Sequence, residues 1–206
     1  MKKKWLYISP ILILIGVLYF FTYSSIKKTK PALPVLGNPG HKVGSFSLID
    51  QVGDTVTQDI LNGKVSVVEY FYTSCTGICV PMNKNMGKVY EDLKDTPGFQ
   101  IISNTVDPET DSVPVLAKYA EQWDANPEVW KFLTGSKEEL FTTAVQEYLL
   151  NAADSIGVTG EYVHTNWFAL VDQKRQIRGF YDGLKSSDMK KLEADIKQLL
   201  KAEKED

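Results

Sequence analysis

The stretch VSVVEYFYTSCTGICVPMNKNMGKV, residues 65–89, decides the fold of this chain and carries its chemistry. It opens with the mainly apolar run Val65–Tyr72, which is typical of a strand buried on both faces. A short turn follows and holds the chain's only two cysteines, Cys75 and Cys79. After Pro81 the pattern predicts a helix. Because first-turn N–H groups and the helix dipole favour a thiolate, this C-x-x-x-C is a candidate chemical site.

The composition is that of a globular protein and argues against a nucleic-acid-binding surface. Of the 206 residues, 43% are hydrophobic and 24% are charged, and the formal net charge is −3. Charges of both signs are interspersed, so no basic face is available for a phosphate backbone. We therefore expect no nucleic-acid partner.

The N-terminal segment differs from the rest of the chain. Lys2–Lys4 precede the uncharged run Trp5–Ile26, which is long enough to cross a bilayer and has aromatic residues towards both ends. A cleaved signal peptide is the alternative, but the run exceeds a usual signal core and no A-x-A-like site follows it. We expect residues 1–26 to form an uncleaved, single-pass transmembrane anchor.

The orientation of this anchor follows from what comes after it. Lysines at positions 27, 28 and 30 balance the N-terminal lysines, so charge decides little. A large domain after one N-terminal span most simply lies outside the cytoplasm, so we expect the cell (inner) membrane with the domain on the extracytoplasmic or periplasmic side. Two close cysteines in such an oxidising compartment are either redox-active or bound to a metal.

We expect residues 27–44 to form a linker and residues 45–202 to form one domain. The linker is rich in Pro and Gly and would lift the domain off the membrane. His41 lies in it, and we expect an exposed loop histidine, the alternative being a weak accessory metal ligand.

Periodicity predicts the element order β-β-β-α-β-α-β-α-β-β-α across the domain. Alternating βα units followed by an antiparallel hairpin and a helix indicate a mixed sheet with helices on both faces. The predicted strands are Ser45–Asp50, Asp54–Thr57, Val65–Tyr72, Phe99–Val106, Val129–Leu133, Trp167–Val171 and Gln176–Tyr181, and the predicted helices are Val80–Leu93, Ser112–Trp123, Ser136–Leu150 and Ser187–Ala202.

Four motifs, in order along the chain, resemble the Sco (SenC-like) family. They are FYTSCTGICVP (71–81), VDPETD (106–111), LTG (133–135) and VH (163–164), the last lying eight residues before Asp172. Any one of these motifs is weak, whereas all four in order with an N-terminal anchor are specific. The Sco family contains membrane-anchored copper proteins that serve cytochrome c oxidase assembly. The resemblance implies an α/β, thioredoxin-like mixed sheet flanked by helices, with an N-terminal β-hairpin extension and a preceding transmembrane helix.

The cysteine spacing limits what the pair can do. In a regular helix, residues four apart have Cβ atoms about 5–6 Å apart, whereas a disulfide needs about 3.8 Å. Cys75 must therefore lie in the turn before the helix if it is ever to form a disulfide with Cys79. As thiols the two can instead bind a metal, because two soft thiolates and one imidazole suit copper and would also accept zinc.

The resemblance implies that His164 is the third metal ligand, since the loop before the last hairpin lies over the cysteine turn in a thioredoxin-like fold. It further implies a metallochaperone that binds Cu(I) or Cu(II) through Cys75, Cys79 and His164. The copper would go to the Cu(A) site of a cytochrome c oxidase subunit, with other copper or thiol carriers as further partners. The alternative for His164 is a loop histidine with a local hydrogen bond.

The chain departs from the thioredoxin pattern and from the Sco pattern at single positions. Thioredoxins carry a cis-proline before the hairpin strand, where this chain has Asn166. A cis bond before a non-proline residue costs about 3 kcal/mol, so we expect a trans bond here. The Sco pattern usually has Asp before the histidine and often has Pro after the first cysteine, where this chain has Val163 and Thr76.

A second function is compatible with the same residues. A membrane-anchored thiol–disulfide oxidoreductase would use Cys75 as nucleophile, Cys79 as resolving thiol and Glu69, six residues before Cys75, as base. Burial would raise the pKa of Glu69; the alternative is that it faces water or pairs with a lysine. A peroxidase would need an activating arginine or other polar partner beside one reactive thiolate, and the only arginines, Arg175 and Arg178, lie in the last hairpin, far from the cysteine turn in sequence.

Four other residues have two interpretations each. Asp107 and Asp111 of the VDPETD motif either place charge near the site or on a docking surface, or serve turn and helix-cap hydrogen bonds. Met82 and Met86 could be soft metal ligands, but their helical spacing favours core packing.

Overall fold

A seven-stranded mixed sheet forms the centre of the part of the chain that the computed structural model describes, residues 17–18, 32–150 and 165–202. Its strand order is β2-β1-β5-β4-β3-β6-β7. The strands are β1 (Ser47–Asp50), β2 (Thr55–Thr57), β3 (Val65–Phe71), β4 (Phe99–Thr105), β5 (Trp130–Thr134), β6 (Trp167–Val171) and β7 (Ile177–Asp182).

Helices follow the strands in the predicted order. They are α1 (Cys79–Leu93), α2 (Val113–Glu121), α3 (Lys137–Thr142) and α4 (Ser186–Ala202), with a 3-10 turn at Gln58–Leu61. Ser136 caps α3 by accepting the Glu139 N–H at 3.2 Å, which confirms the predicted helix start. The helix predicted to run to Leu150 instead changes to a π-helical turn at Thr143–Glu147.

Parallel pairing of β3, β4 and β5 sets the topology. Val65 pairs with Phe99 and Ile101 pairs with Trp130, while β6 runs antiparallel to β3. All seven residues of β3 are buried, as expected for a central strand covered on both faces. Right-handed crossovers that step in one direction put α1 and α2 on the same face.

Two apolar clusters lie on the two faces of the sheet. Met82 of α1, Leu116 of α2 and Leu192 of α4 share one cluster with Val67 of β3. Leu140 of α3 belongs to the other cluster. The predicted mixed sheet with helices on both faces and an N-terminal hairpin extension is therefore confirmed.

Residues 33–44 pack as part of the folded unit, whereas the sequence predicts a spacer up to residue 44. The chain separates into two units, residues 1–32 and residues 33–206. In the second unit, Leu36 N–H donates to the Ile177 carbonyl at 2.8 Å and Val43 N–H donates to the Arg175 carbonyl at 2.9 Å. The Val43 side chain is fully buried. The sequence of this segment does not predict these contacts, because isolated backbone hydrogen bonds impose no periodic pattern of apolar residues.

His41 is half-buried in this segment, and its Nε2 lies 2.9 Å from the Glu147 backbone carbonyl. The exposed loop position predicted for it is therefore wrong. This contact of the His41 ring joins residues 33–44 to the end of the π-helical turn.

No helix among the described residues combines the length and the hydropathy needed to cross a membrane. The predicted anchor Trp5–Ile26 lies outside those residues apart from Val17 and Leu18. The anchor stays a prediction.

Removal of residues 33–44 should destabilise the domain. A chain that begins at Ser45 loses the buried Val43 and several backbone hydrogen bonds, so its free energy of unfolding should fall by at least about 2 kcal/mol relative to a chain that begins at Leu33. Urea unfolding of the two chains measures the difference, and Val43→Ala in the longer chain should give part of it. Equal stability of the two chains would show that this segment is a free spacer.

Candidate metal and thiol centre

Cys75 lies in the turn after β3, and Cys79 is the first residue of α1. Both are free thiols and both are largely buried, with 9% and 4% of their surface exposed. Cys75 N–H donates to the Tyr72 carbonyl at 3.2 Å, which starts the turn. The requirement that Cys75 precede the helix is therefore met, and the pair is placed where it can share an ion or form a bond.

The two thiols have unequal proton affinities. Burial by itself raises the pKa of Cys75, but hydrogen bonds to its sulfur outweigh burial and hold that pKa below the ordinary cysteine value. The donors are the Cys79 thiol, the backbone N–H groups of Cys79 and Gly77, and the Tyr72 hydroxyl. Burial and the hydrogen bond to Cys75 raise the pKa of Cys79 to about 12. Cys75 is thus the thiolate-forming sulfur and Cys79 keeps its proton.

The start of α1 explains these hydrogen bonds. Ile78 occupies the N-cap position and makes no side-chain cap hydrogen bond. The first N–H groups of a helix need an acceptor from outside the helix. The sulfur of Cys75 supplies one, which is the arrangement that lowers a thiol pKa.

Glu69 is completely buried on the sheet face that α1, α2 and α4 cover. Its Oε1 accepts a hydrogen bond from Ser103 Oγ at 2.5 Å, and Ser103 in turn accepts from Trp130 Nε1 at 2.8 Å. Its Oε2 has no hydrogen-bond partner among the described residues. Burial raises the pKa of Glu69 to about 7, against the Ser103 hydrogen bond that lowers it. The alternative of a wet face or a lysine partner is therefore wrong.

Asp111 joins the two turns at this edge of the sheet. It is fully buried, and its carboxylate accepts the Thr73 N–H at 3.0 Å as well as the hydroxyls of Thr73 and Thr105. Asp107 is half-buried, and its carbonyl accepts the Asp111 N–H at 2.8 Å. Asp111 does not cap α2, because Ser112 holds the N-cap position. Nor can a buried carboxylate belong to a docking surface.

Sequence reasoning missed Thr73 and Tyr72, which contact Asp111 and Cys75. Their signal is a pair of hydroxyls between the end of a buried strand and the first cysteine. Met82 and Met86 are both fully buried in the core beneath α1. This confirms the expected packing role.

The end of β7 anchors Asn166, the residue at the thioredoxin cis-proline position. Asn166 Nδ2 donates to Asp182 Oδ1 at 2.6 Å, and Gly183 N–H donates to the Asn166 carbonyl at 2.8 Å. No cis peptide bond occurs among the described residues, so the expected trans bond before Asn166 is confirmed.

Strand register separates the arginines from the thiols. Ser66 pairs with Val171, so the turn after β6, which holds Arg175, lies beside the beginning of β3, at the edge away from Cys75. Arg178 forms an ion pair with Asp172 at 2.7 Å. An arginine-activated thiolate, as in a peroxidase, finds no support in this arrangement.

His164 lies outside the described residues, as does Val163. Within residues 17–18, 32–150 and 165–202, no three His, Cys, Asp or Glu side chains are grouped to hold a metal. The donor set in the described part is the pair of adjacent thiols. Two soft sulfur donors fit copper(I) and would also fit zinc.

Comparison with known proteins gives one family. The SCO1/SenC family model matches residues 36–201. A SCO1 protein homolog of Bacillus subtilis is 28% identical over 162 residues, covering 76% of this chain and 82% of that protein.

Solved structures show the same similarity. The structure of BsSco, described as a disulfide-switch member of the Sco family of cytochrome c oxidase assembly proteins, has a TM-score of 0.69 and 26% identity, covering 84% of this chain and 99% of its own. Arabidopsis thaliana ScoI with copper bound has a TM-score of 0.59 and 25% identity, covering 77% of this chain and 98% of its own.

Replacement of Glu69 by Gln should remove a pH dependence of stability. Because the folded pKa of Glu69 is raised from 4.5 to about 7, the folded state binds a proton that the unfolded state releases between these values. Stability should therefore fall by about 3 kcal/mol as pH rises from 4.5 to 7 and then level off.

Urea unfolding across this pH range measures the effect. Glu69→Gln should abolish the fall and be more stable than the parent at pH 8, whereas Glu91→Gln, at a surface position, should leave it unchanged. A parent-like slope in Glu69→Gln would show that this carboxyl is not the titrating group.

Proposed function

Because the chain belongs to the SCO1/SenC family, we propose that it is a membrane-anchored metallochaperone that binds copper through Cys75, Cys79 and His164 and delivers it to the Cu(A) site of cytochrome c oxidase. The observation that carries the proposal is the pair of free, largely buried thiols, one in the turn before α1 and one at its first residue. A relative in the same family is copper-bound and another is an oxidase assembly protein by description.

The chemistry of the pair suits a metal that must be passed on. The pKa of Cys75 is lowered and that of Cys79 is raised. Because metal binding requires deprotonated thiols, Cys79 gives up its proton when a metal ion competes for its sulfur. Two thiolates and one imidazole leave copper with few ligands, which suits exchange with an incoming set of donors.

Chain topology supports His164 as the third ligand. Val68 pairs with Ala169, so β6 enters the sheet at the edge where β3 leaves it for the cysteine turn. His164 directly precedes Thr165 in sequence, and Thr165 lies two residues before β6 begins. Thr165, the residue that follows His164 in sequence, is therefore near the sheet edge that carries the thiols.

The remaining parts of the proposal follow from the N-terminal segment. The run Trp5–Ile26 would hold the domain at the cell membrane on its extracytoplasmic side, where an oxidase subunit that carries Cu(A) is accessible. The partners would be that subunit and the copper or thiol carriers that load the chaperone.

Replacement of His164 by Ala should weaken Cu(I) binding. Even loss of an outer partner of a metal ligand costs about 10–100-fold in affinity, so we expect at least about 100-fold for the ligand itself. Competition with a Cu(I) chelator on the reduced full chain measures this, together with the Cu(II) absorption spectrum.

The matched control is His41→Ala, since His41 is the other histidine of the chain and contacts the Glu147 carbonyl. It should bind copper as the parent does. Unchanged affinity and spectrum in His164→Ala would rule out the three-ligand site.

A second candidate function, thiol–disulfide exchange, is favoured by the inequality of the two thiols. Cys75 would attack a partner disulfide and Cys79 would resolve the mixed disulfide, with Glu69 as a buried acceptor for a proton behind α1. Keeping a partner's cysteines reduced would prepare them for copper, so the two functions are compatible.

Cys79→Ser should trap a partner if this second function operates. The nucleophile would remain on Cys75 while the resolving thiol would be absent, so a covalent adduct that dithiothreitol releases should accumulate on non-reducing gels. Cys75→Ser is the matched control and should trap far less. A Cys79→Ser chain that forms no adduct with an oxidised Cu(A)-site peptide would argue for copper transfer alone.

A further inference from the structure

The carboxylate of Asp111 binds Thr73, which lies two residues before Cys75 in the chain. Its Oδ2 accepts the Thr73 N–H at 3.0 Å and the Thr105 hydroxyl at 2.5 Å, and its Oδ1 accepts the Thr73 hydroxyl at 2.5 Å. Hydrogen bonds to an ionised carboxylate are about twice as strong as neutral ones. Thr73 is thus held by its backbone and by its side chain at once.

Few other contacts hold the chain between Thr73 and Cys79. The sheet pairing of β3 ends at Phe71, opposite Thr105. Ser74 and the residues between the cysteines, 76–78, are exposed. Cys79, in contrast, is held by α1, whose buried side chains include Met82. The helix therefore places the Cys79 sulfur, whereas the turn that carries the Cys75 sulfur is held by the Cys75 N–H bond to the Tyr72 carbonyl and, through Thr73, by the Asp111 carboxylate.

We propose that Asp111 is a positioning residue for the thiol pair, and that its carboxylate holds Thr73 so that Cys75 stays opposite Cys79. The inference rests on the proposed function in taking these two sulfurs as the functional pair. An ion or a disulfide that joins two preplaced sulfurs costs less ordering entropy than one that must first fix a free turn. Loss of the carboxylate should thus weaken both copper binding and disulfide formation.

Asp111→Asn tests this proposal in the full chain. The amide keeps one acceptor oxygen but turns a donor towards a threonine hydroxyl, so at least one charge-assisted hydrogen bond is lost. In glutathione buffers, Cys75 and Cys79 give two electrons and two protons to glutathione disulfide, which yields one protein disulfide and two glutathione thiols. We expect the equilibrium constant for this exchange to fall about tenfold, and the Cu(I) affinity of the reduced chain to fall by a similar factor.

Asp50→Asn is the matched control. Asp50 is another fully buried aspartate, and its Oδ1 accepts the N–H groups of Val52 and Asp54 at 3.1 and 2.9 Å in the β1–β2 turn. Two strands, β5 and β4, lie between β1 and β3 in the sheet. This variant should lose stability without a change in either constant.

Thr73 supplies variants that disturb the fold less. Thr73→Val removes the hydroxyl and keeps the backbone N–H, so both constants should fall by a smaller factor, and Thr73→Ser should restore them. If Asp111→Asn does not fold, this pair decides the question, and parent-like constants in Thr73→Val would then overturn the proposal.

Other outcomes separate this inference from the proposed function. Parent-like constants in a folded Asp111→Asn chain, or equal losses in Asp50→Asn, would assign Asp111 a structural role only. If the parent chain binds no copper while Asp111→Asn still shifts the glutathione equilibrium, the copper function fails and the positioning role stands.

Discussion

The parallel pairing of β3 with β4 is the constraint on which the rest of this structure depends. Both strands are buried along their whole length, as central strands of a sheet covered on both faces are. The pairing runs from Val65 opposite Phe99 to Phe71 opposite Thr105, and the two strands therefore end side by side. The turn with Cys75 and the turn with Asp111 meet for this reason. The chemistry lies beyond the carboxyl ends of the strands, as in other open α/β sheets.

Pattern and spacing predict the parts of this fold that depend on local sequence. The strand β6, Trp167–Val171, has the predicted bounds, and β3 differs by one residue at its end. The position of Cys75 before the helix also followed from spacing, since cysteines four apart cannot bond within a helix. These features need no knowledge of distant residues, and the order of elements then restricts the topology.

Contacts between distant segments could not be predicted in this way. Burial of Glu69 depends on three helices that cover it, and a lone acid in an apolar strand is equally compatible with a wet face. Likewise, the hydrogen bonds of Asp111 to Thr73 require the register of two strands. The segment 33–44 shows no periodic pattern of apolar residues, yet Val43 is fully buried. The residues that bury it are mostly distant from it in sequence.

The hydrogen bonds from the start of α1 to the Cys75 sulfur link the helix to the chemical state of the thiol. Most helices begin with an oxygen acceptor from Ser, Thr, Asp or Asn, whereas Ile78 supplies none here. A disulfide sulfur carries no negative charge and is a poorer acceptor than a thiolate. The start of α1 is therefore better satisfied when Cys75 is a thiolate than when it is part of a disulfide.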